Sequence, residues 1–386
     1  MSRPKKIKQH FQVNFNFDLI FTQNLFDVKN KILANLLSQN LLKKSKAIVV
    51  VDQGVTKLHP NLKKSIRTYF GAHDSAIQIC GNILEIPGGE QAKNDENYIK
   101  DLLEYINHFG VDRHSYVIVI GGGAVIDAVG FATSIAHRGV RLIRIPTTVL
   151  SQNDSGIGVK NGINYFGKKN FIGNFAIPYA VINDEIFLKT LDDRNWRSGI
   201  SEAIKVALIK DSEFFNWIEE QTKELVNRNL DIMNQLIYRC AELHMDHTRT
   251  SGDPFEQGSS RPLDFGHWAA HKLEQISKYE ILHGEAVSAG IALDSTYSFL
   301  KGYLKENELQ RILDCILSLG FTISYEQLNE KVIKGLEEFR EHLGGQLTIM
   351  LLKTIGEGFE VHEIDKELVL KSIDYISKYS AQKITS

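Results

Sequence analysis

Three histidines lie close together in a segment whose apolar spacing is typical of buried helices. Residues 261–287 read "RPLDFGHWAAHKLEQISKYEILHGEAV" and contain His267, His271 and His283, although the whole chain has only 13 histidines. His267 and His271 are four residues apart and share one face of a helix, and His283 begins the next apolar helix. A single buried histidine is usually just a hydrogen-bonded part of the core, but three beside "HGE" favour a metal site or a proton-transfer site.

A carboxylate on another apolar helix could complete such a site. The stretch "SGISEAIKVALI" carries Glu202 and Lys205 three residues apart. Nitrogen and oxygen ligands without a thiolate suit Zn²⁺ or a similar divalent ion in a catalytic site rather than a structural one. The sequence therefore adds Glu202 to the candidate ligands.

Three strand-end loops have the chemistry of a nucleotide site. "VIVIGGGAVIDAVGFA" runs from an apolar strand through three glycines into a helix, "IPGGEQAKN" ends a second β-rich run, and "PTT" ends a third. The glycine spacing is not GxGxxG, so the first loop alone could equally be a tight turn. Open parallel sheets bind ligands where such loops converge at one edge, and the three loops together favour a nucleotide.

A polar, glycine-rich stretch follows at residues 151–175, "SQNDSGIGVKNGINYFGKKNFIGNF". It is either a long surface loop or an anion site, because lysines and asparagine amides suit a phosphate and its neighbouring hydroxyls. Its candidate side chains are Asp154, Lys160, Asn164, Lys168, Lys169 and Asn170.

The elements predict an α/β protein of two domains. Strand-like runs at residues 46–52, 76–80, 116–123 and 141–148 alternate with helical patterns, which is typical of a mostly parallel sheet covered on both faces, and residues 11–21 alternate like a half-buried strand. Amphipathic helices dominate after residue 191, apart from one late strand at residues 346–352. We expect a Rossmann-like domain at residues 1–190 and an all-helical domain at residues 191–386.

The composition excludes several other classes of protein. The 386 residues, with 43% apolar and 24% charged residues and 45 basic against 47 acidic groups, predict a globular protein with no nucleic-acid partner and a cleft between two domains. Three scattered cysteines fit neither a disulfide framework nor a cysteine-based zinc site, which favours a reducing cytoplasm. No apolar run approaches the ~20 residues needed to span a bilayer, so no membrane partner is expected. We interpret the basic start "MSRPKKIKQH" as a solvated tail.

The motifs, taken in order, resemble those of one superfamily. "GGGAVIDAVGFA", "PTT", "GKKNFIG", "SEAIK", "DFGHxxxH" and "HGEAV" resemble the dehydroquinate synthase superfamily, the sugar phosphate cyclases, over about residues 48–356. The resemblance implies an N-terminal NAD-binding domain, a helical C-terminal domain, zinc or cobalt, and a homodimer. It also implies metal ligands at Glu202, His267 and His283, with His271 as an outer or proton-relay residue.

The same resemblance implies the remaining site residues. NAD would be held by Asp52, Glu90, Lys93, Gly122, Gly123, Asp127, Thr147, Thr148 and Lys169. The sugar phosphate would be held by Asp154, Lys160, Asn170 and Lys205. Arg138, in "AHRGVR", resembles an arginine that reaches into the partner subunit's site.

Departures from the dehydroquinate synthase pattern bear on the substrate. Those enzymes have a lysine where this chain has Cys240, an arginine and an asparagine in the segment that here contains Asp264, and a lysine pair near His342. A substrate carboxylate would therefore lack its partners, although Arg261 could compensate in part. "RPLDFGH" and "REHLGG" are similar to the branch that cyclises sedoheptulose 7-phosphate to valiolone-type products. "GKKNFIG" and "SGDPFEQGSSRPLDFGHWAAHKLE" are more similar to cyclase homologues of bacterial ebo-type operons.

The implied activity is that of an NAD- and metal-dependent carbon–oxygen lyase. A ketose phosphate, with sedoheptulose 7-phosphate as the first candidate, would be oxidised transiently, lose phosphate, be reduced again and close by an intramolecular aldol reaction. The alternatives are a 3-dehydroquinate synthase, a metal-dependent NAD polyol dehydrogenase of the related fold, which would form net NADH, and a non-catalytic descendant. Retained ligands at Glu202, His267 and His283 oppose the last alternative.

Overall fold

The computed structural model describes residues 6–38, 44–74, 77–251, 255, 262–342 and 344–385. The strands are β1 (Asp18–Thr22), β2 (Ser45–Asp52), β3 (Ile77–Ile79), β4 (Leu84–Ile86), β5 (Tyr116–Gly121), β6 (Arg141–Pro146), β7 (Lys160–Tyr165), β8 (Lys168–Phe175), β9 (Ala180–Asp184), β10 (Ile349–Thr354) and β11 (Glu357–Val361). The helices are α1 (Ile32–Leu37), α2 (Gln53–Leu58), α3 (Leu62–Ala72), α4 (Gln91–Asn94), α5 (Glu96–His108), α6 (Gly123–Ile135), α7 (Asp193–Lys210), α8 (Ser212–Glu220), α9 (Thr222–Val226), α10 (Leu230–Thr250), α11 (His267–Ile276), α12 (His283–Leu300), α13 (Glu306–Ser318), α14 (Lys334–His342) and α15 (Lys366–Thr385).

Seven parallel strands form the main sheet, in the order β1-β9-β6-β5-β2-β3, with β4 also paired to β2. Alternate residues of the central strands pack into two apolar cores on opposite faces, so that Val49 and Ile118 lie in one core and Val50 and Val117 in the other. A strand that is buried on both faces has a continuous apolar sequence, and "AIVVV" in β2 and "VIVI" in β5 are such sequences. The predicted parallel sheet is confirmed.

The helical region packs around two buried helices. α7 is buried along most of its length, and α12 is buried on all sides from Ala286 to Ser298, which explains its weakly polar sequence. The turn before α11 crosses α12 at two glycines. Gly266 has a φ of +77°, and a Cβ there would lie 2.7 Å from the backbone nitrogen of Ile291, while a Cβ on Gly290 would lie 2.0 Å from the Gly266 oxygen. This close crossing brings the N-terminus of α11 against α12.

A buried carboxyl group fixes the same crossing. Asp294 of α12 accepts hydrogen bonds from the Gly266 backbone N–H at 3.0 Å and from Nε1 of Trp268 at 2.9 Å. Burial raises the pKa of Asp294 to about 7, although these two hydrogen bonds oppose the shift. These hydrogen bonds therefore fix Gly266 and Trp268, the residues on either side of His267, against α12.

The structure corrects several details of the predicted elements. Residues 151–175 are not one long loop, because β7 and β8 form an antiparallel hairpin. Two strands, β10 and β11, pair where one was expected, so the C-terminal region is mostly rather than wholly helical. The N-terminal strand is limited to Asp18–Thr22. Within the described residues, no helix combines the length and the apolar character needed to cross a bilayer.

Candidate active site

One cleft of about 1030 Å³ lies between the carboxyl edge of the sheet and the helical region. Most of the predicted site residues line it: Asp52, Glu90, Lys93, Gly122, Gly123, Asp127, Thr147, Thr148, Asp154, Lys160, Lys169, Asn170, Lys205, Asp264, His267, His271 and His283. Glu202 is fully buried and contacts two of these histidines. The structure therefore brings the two halves of the predicted site together.

The glycine-rich half of the cleft is packed so closely that side chains would not fit at several positions. A Cβ on Gly88 would lie 2.5 Å from Oδ1 of Asp52, and a Cβ on Gly123 would lie 2.4 Å from Oγ of Ser155. Gly122 differs, because a Cβ there would come no closer than 3.6 Å to any neighbouring atom. Gly122 precedes α6, whose first turn leaves backbone N–H groups available to an anion.

Alternating charges line the same half of the cleft. Nζ of Lys93 lies 2.6 Å from Oδ2 of Asp127. Nζ of Lys169, on the β7–β8 hairpin, lies 3.4 Å from Oε1 of Glu90. Burial raises the pKa of Asp52, and backbone hydrogen bonds from Gly54, Val55 and Gly122 only partly oppose the shift. Carboxylates of this kind suit ribose hydroxyls, and the lysines suit phosphate oxygens.

Glu202, His267 and His283 converge at the floor of the cleft. Oε1 of Glu202 lies 3.6 Å from Nε2 of His267 and 3.5 Å from Nε2 of His283. Donor atoms of the three residues all lie within 4.8 Å of one another. Among the described residues, Oε1 of Glu202 is buried without a hydrogen-bond partner. A buried carboxylate oxygen facing two imidazole nitrogens could hold a divalent cation.

The charges around this trio hold the carboxylate ionised. Burial opposes ionisation of Glu202, but Lys205, one turn further along α7, and His283 outweigh it and lower its pKa to about 2. Burial also lowers the pKa of His267 well below its usual value, and the positive charge of Lys205 lowers it further. The imidazole of His267 is therefore neutral, as a metal ligand requires.

One buried residue of the site was not predicted from the sequence. Glu274 of α11 accepts from Nδ1 of His283 at 3.1 Å and from Nζ of Lys169 at 3.1 Å. Burial opposes its ionisation, but His283 and Lys169 keep its pKa well below the usual value. Its position seven residues after His267 on one helix face was the available signal.

The opposite wall carries predicted substrate residues and a histidine that the sequence analysis missed. Oδ1 of Asp154 lies 3.0 Å from Nδ1 of His244, which lines the cleft from α10. Cys240, one turn earlier and at the position where the related synthases have a lysine, is fully buried, and its Sγ faces the Asn153 carbonyl at 3.7 Å. Of these two residues of α10, His244 is the one that lines the cleft.

A buried arginine organises the segment that carries Asp154 and Lys160. The guanidinium of Arg144, on β6, donates to the carbonyls of Gly156, Gly158 and Lys160 and to Oδ1 of Asn161. Burial lowers its pKa to about 10, so it stays charged at neutral pH. Hydrogen bonds from this one side chain to three backbone carbonyls thus fix the segment.

Other predicted residues lie apart from the cleft, as Asn164, Lys168 and Arg138 do, or outside the described part of the chain. Arg138 lines a separate cavity with Asp112 and His137, in a turn where both Arg138 and His137 have positive φ. The role that the resemblance implies for Arg138, in the site of a partner subunit, stays a prediction. Arg261 lies outside the described residues, and for His342 only the backbone is described, at the end of α14.

The comparisons with known sequences agree with this geometry. The family model for the 3-dehydroquinate synthase N-terminal domain matches residues 83–198, and that for the C-terminal domain matches residues 199–340. The chain belongs to the 3-dehydroquinate synthase family. The 3-dehydroquinate synthase of Dictyoglomus thermophilum is 35% identical over 295 residues, 75% of this chain and 81% of that protein. That of Vibrio atlanticus is 32% identical over 335 residues, 86% of this chain and 90% of its own.

Solved structures extend the family relationship to other sugar phosphate cyclases. A 2-epi-5-epi-valiolone synthase from Streptomyces hygroscopicus subsp. jinggangensis 5008, with NAD⁺ and Zn²⁺ bound, is 27% identical, covers 97% of this chain and 100% of its own, and has a TM-score of 0.87. A 2-deoxy-scyllo-inosose synthase complexed with carbaglucose-6-phosphate, NAD⁺ and Co²⁺ is 20% identical, covers 92% and 96%, and has a TM-score of 0.77, a likeness of fold. The chain is therefore an enzyme of the sugar phosphate cyclase superfamily, and the predicted superfamily and fold class are confirmed.

Proposed function

We propose that the enzyme converts a seven-carbon ketose phosphate, with sedoheptulose 7-phosphate as the first candidate, into a carbocycle with loss of phosphate. One observation carries the proposal. The trio of Glu202, His267 and His283 lies at the floor of the same cleft that the glycine-rich strand ends line. A redox cofactor and a metal ion could then act on one substrate.

The donor set fits zinc or cobalt. Glu202 supplies a carboxylate oxygen that lacks a hydrogen-bond partner among the described residues, and His267 and His283 supply imidazole nitrogens. Three protein ligands that leave an open position are typical of a catalytic site. We propose these three residues as the ligands.

The cofactor would be NAD⁺, held along the carboxyl edge of the sheet. Its proposed contacts are Asp52, Glu90, Lys93, Gly122, Gly123, Asp127, Thr147, Thr148 and Lys169, all of which line the cleft. The valiolone synthase with NAD⁺ and Zn²⁺ bound supports both assignments. When bound, the two groups would supply a reversible hydride acceptor and a Lewis acid that polarises the substrate oxygen.

The side chains of the chain itself would bind the phosphate and move protons. Lys160, Lys205 and Asn170 provide charged and amide donors for the departing phosphate. His271 lies beside the trio, with its ring centroid 5.4 Å from that of His267, and is suited to relay protons. The pair of Asp154 and His244 faces Lys205 across the cleft and would bind or deprotonate substrate hydroxyls.

The charge of the cleft favours a substrate without a carboxylate. Asp264 lines the cleft near Lys205. Burial opposes the charge of Lys205, but Glu202 and Asp154, with a smaller contribution from Asp264, outweigh it and raise the pKa of that lysine. A substrate carboxylate placed beside these acidic groups would be repelled by their negative charge. This argument supports sedoheptulose 7-phosphate over the carboxylated sugar phosphate.

The second candidate is a 3-dehydroquinate synthase, because curated relatives with that name reach 35% identity. The test offers metal-loaded enzyme and NAD⁺ either sedoheptulose 7-phosphate or the carboxylated seven-carbon sugar phosphate that 3-dehydroquinate synthases cyclise. We expect phosphate release from the first and at least 100-fold lower kcat/KM with the second. The reverse preference would replace the proposal with the second candidate.

A further inference from the structure

A chain of alternating charges joins the two halves of the cleft through one buried carboxylate. Glu274 is 4% exposed and accepts from Nδ1 of His283 and from Nζ of Lys169. Lys169 also contacts Oε1 of Glu90, and Oε2 of Glu90 accepts from Nδ2 of Asn164 at 2.9 Å. This series of charged contacts thus extends from the glycine-rich loop, through the β7–β8 hairpin and α11, to the trio of Glu202, His267 and His283.

The contact with His283 defines which ring nitrogen faces the trio. Because a carboxylate accepts at Nδ1, that nitrogen carries a proton, and the other ring nitrogen, Nε2, faces Oε1 of Glu202. A carboxylate behind a ligating imidazole also makes the imidazole a stronger ligand. His267 differs, because its Nδ1 lies 3.1 Å from the Phe265 carbonyl, a neutral group.

The contact with Lys169 ties the same carboxylate to the proposed cofactor half. Lys169 lies on the β7–β8 hairpin and Glu274 on α11, so the 3.1 Å contact between their side chains links two separate elements. A molecule that orders Lys169 and Glu90 therefore also orders the carboxylate behind His283. A ligand that binds second would not have to order these side chains again.

We propose that Glu274 is a positioning residue that couples metal binding at the trio to cofactor binding in the glycine-rich half, an inference that rests on the proposed function. Each ligand then binds more tightly when the other is present. Thermodynamic linkage requires NAD⁺ to raise the affinity for Zn²⁺ by the same factor by which Zn²⁺ raises the affinity for NAD⁺. Such coupling factors are typically about 5- to 150-fold.

The test measures binding rather than turnover. Titration calorimetry gives the Kd of NAD⁺ with and without Zn²⁺, and the Kd of Zn²⁺ with and without NAD⁺, for the wild type and for Glu274→Gln. The replacement keeps the shape of the side chain but removes its charge. We expect Glu274→Gln to weaken Zn²⁺ binding about 10- to 100-fold and to bring the coupling factor close to one. The absorption spectrum of the Co²⁺-loaded protein, which depends on ligand geometry, should shift as well.

Two further variants make the result specific. Glu338→Gln removes a surface carboxylate from Lys272 of the same helix and should leave both Kd values and the coupling unchanged. Lys169→Met removes the other partner of Glu274 and should abolish the coupling while the metal-only Kd changes less than in Glu274→Gln. Lys169→Met also tests the coupling if Glu274→Gln does not fold.

Wild-type protein that binds both ligands with no coupling would overturn the inference and leave the proposed function intact. Unchanged coupling in either Glu274→Gln or Lys169→Met would overturn it too. Wild-type protein that binds neither Zn²⁺ nor NAD⁺ would remove the proposed function and the inference together.

Discussion

Nε2 of His283 lies 3.5 Å from Oε1 of the fully buried Glu202, a distance longer than that of an ordinary N–H···O hydrogen bond. Two ligands at bond lengths of about 2.0–2.2 Å around a tetrahedral zinc ion would be separated by a similar distance. The spacing is thus that of two groups prepared for a shared cation. Lys205, which contacts the other carboxylate oxygen, keeps Glu202 charged without occupying that space.

Removal of the carboxylate should abolish tight metal binding. Glu202→Gln should lower Zn²⁺ affinity by more than the roughly 10- to 100-fold that is typical of losing an outer partner. The metal-free variant should also lose about 3 kcal/mol of unfolding free energy, because Lys205 is left buried without its partner. Metal content after dialysis and urea unfolding measure the two effects. Glu357→Gln, which removes a surface partner of Lys353, is the control, and full metal occupancy in Glu202→Gln would contradict the assignment.

A methyl group at Gly122 should block the cofactor without disturbing the fold. Its Cβ would have no neighbour closer than 3.6 Å, so Gly122→Ala should leave the melting temperature unchanged. If a dinucleotide backbone packs against this turn, NAD⁺ affinity should fall by about tenfold or more, that is, by about 1.4 kcal/mol. Gly71→Ala, on α3 with open space around it, is the control. Normal NAD⁺ affinity in Gly122→Ala would show that the cofactor does not pack against the glycine turn.

The two candidates on α10 should behave in opposite ways. His244→Ala should reduce kcat/KM about 100-fold or more, because it removes a cleft-facing group that can transfer protons and leaves Asp154 without its partner. Cys240→Ala should leave KM and kcat within about twofold, because burial raises the pKa of this thiol and it does not face the cleft. Steady-state kinetics distinguish the two variants. A large KM effect confined to Cys240→Ala would show that Cys240, and not His244, contacts the substrate.

Asp294 should make the fold less stable as the pH rises. Its pKa is about 7 in the folded protein and about 3.9 in an unfolded chain, so the folded state binds the extra proton between these values. Its contribution is complete below about pH 4 and declines toward pH 7 by up to about 1.4 kcal/mol per pH unit. Asp294→Asn cannot titrate, so its unfolding free energy should fall less steeply with pH. Urea midpoints from pH 5 to 8 measure this, and parallel curves for the two proteins would refute the assignment.

The sequence predicted the sheet and the histidine cluster because both depend on local patterns. Central strands such as β2 are uninterrupted β-branched runs, and His267, His271 and His283 occur in one short segment. The β7–β8 hairpin was missed because its strands are polar and glycine-rich. The available sequence signal was Gly167 in its turn, where Phe166 and Gly167 both have positive φ in the structure.

Residues that depend on tertiary packing were harder to predict. Glu274 functions through contacts with a hairpin 105 residues away and with the next helix, and neither contact is visible in its own segment. The choice between Cys240 and His244 depends on how α10 is rotated about its axis. That rotation is fixed by packing against α7 and the turn at Asp154, not by the sequence of α10 alone.

The central claim is that the enzyme is a cyclase that uses its redox cofactor only transiently. The direct measurement follows inorganic phosphate and the absorbance of NADH together while metal-loaded enzyme and NAD⁺ act on sedoheptulose 7-phosphate. Many turnovers of phosphate release without net NADH are the predicted result. Accumulation of NADH without phosphate would contradict the account and identify a dehydrogenase on the same fold.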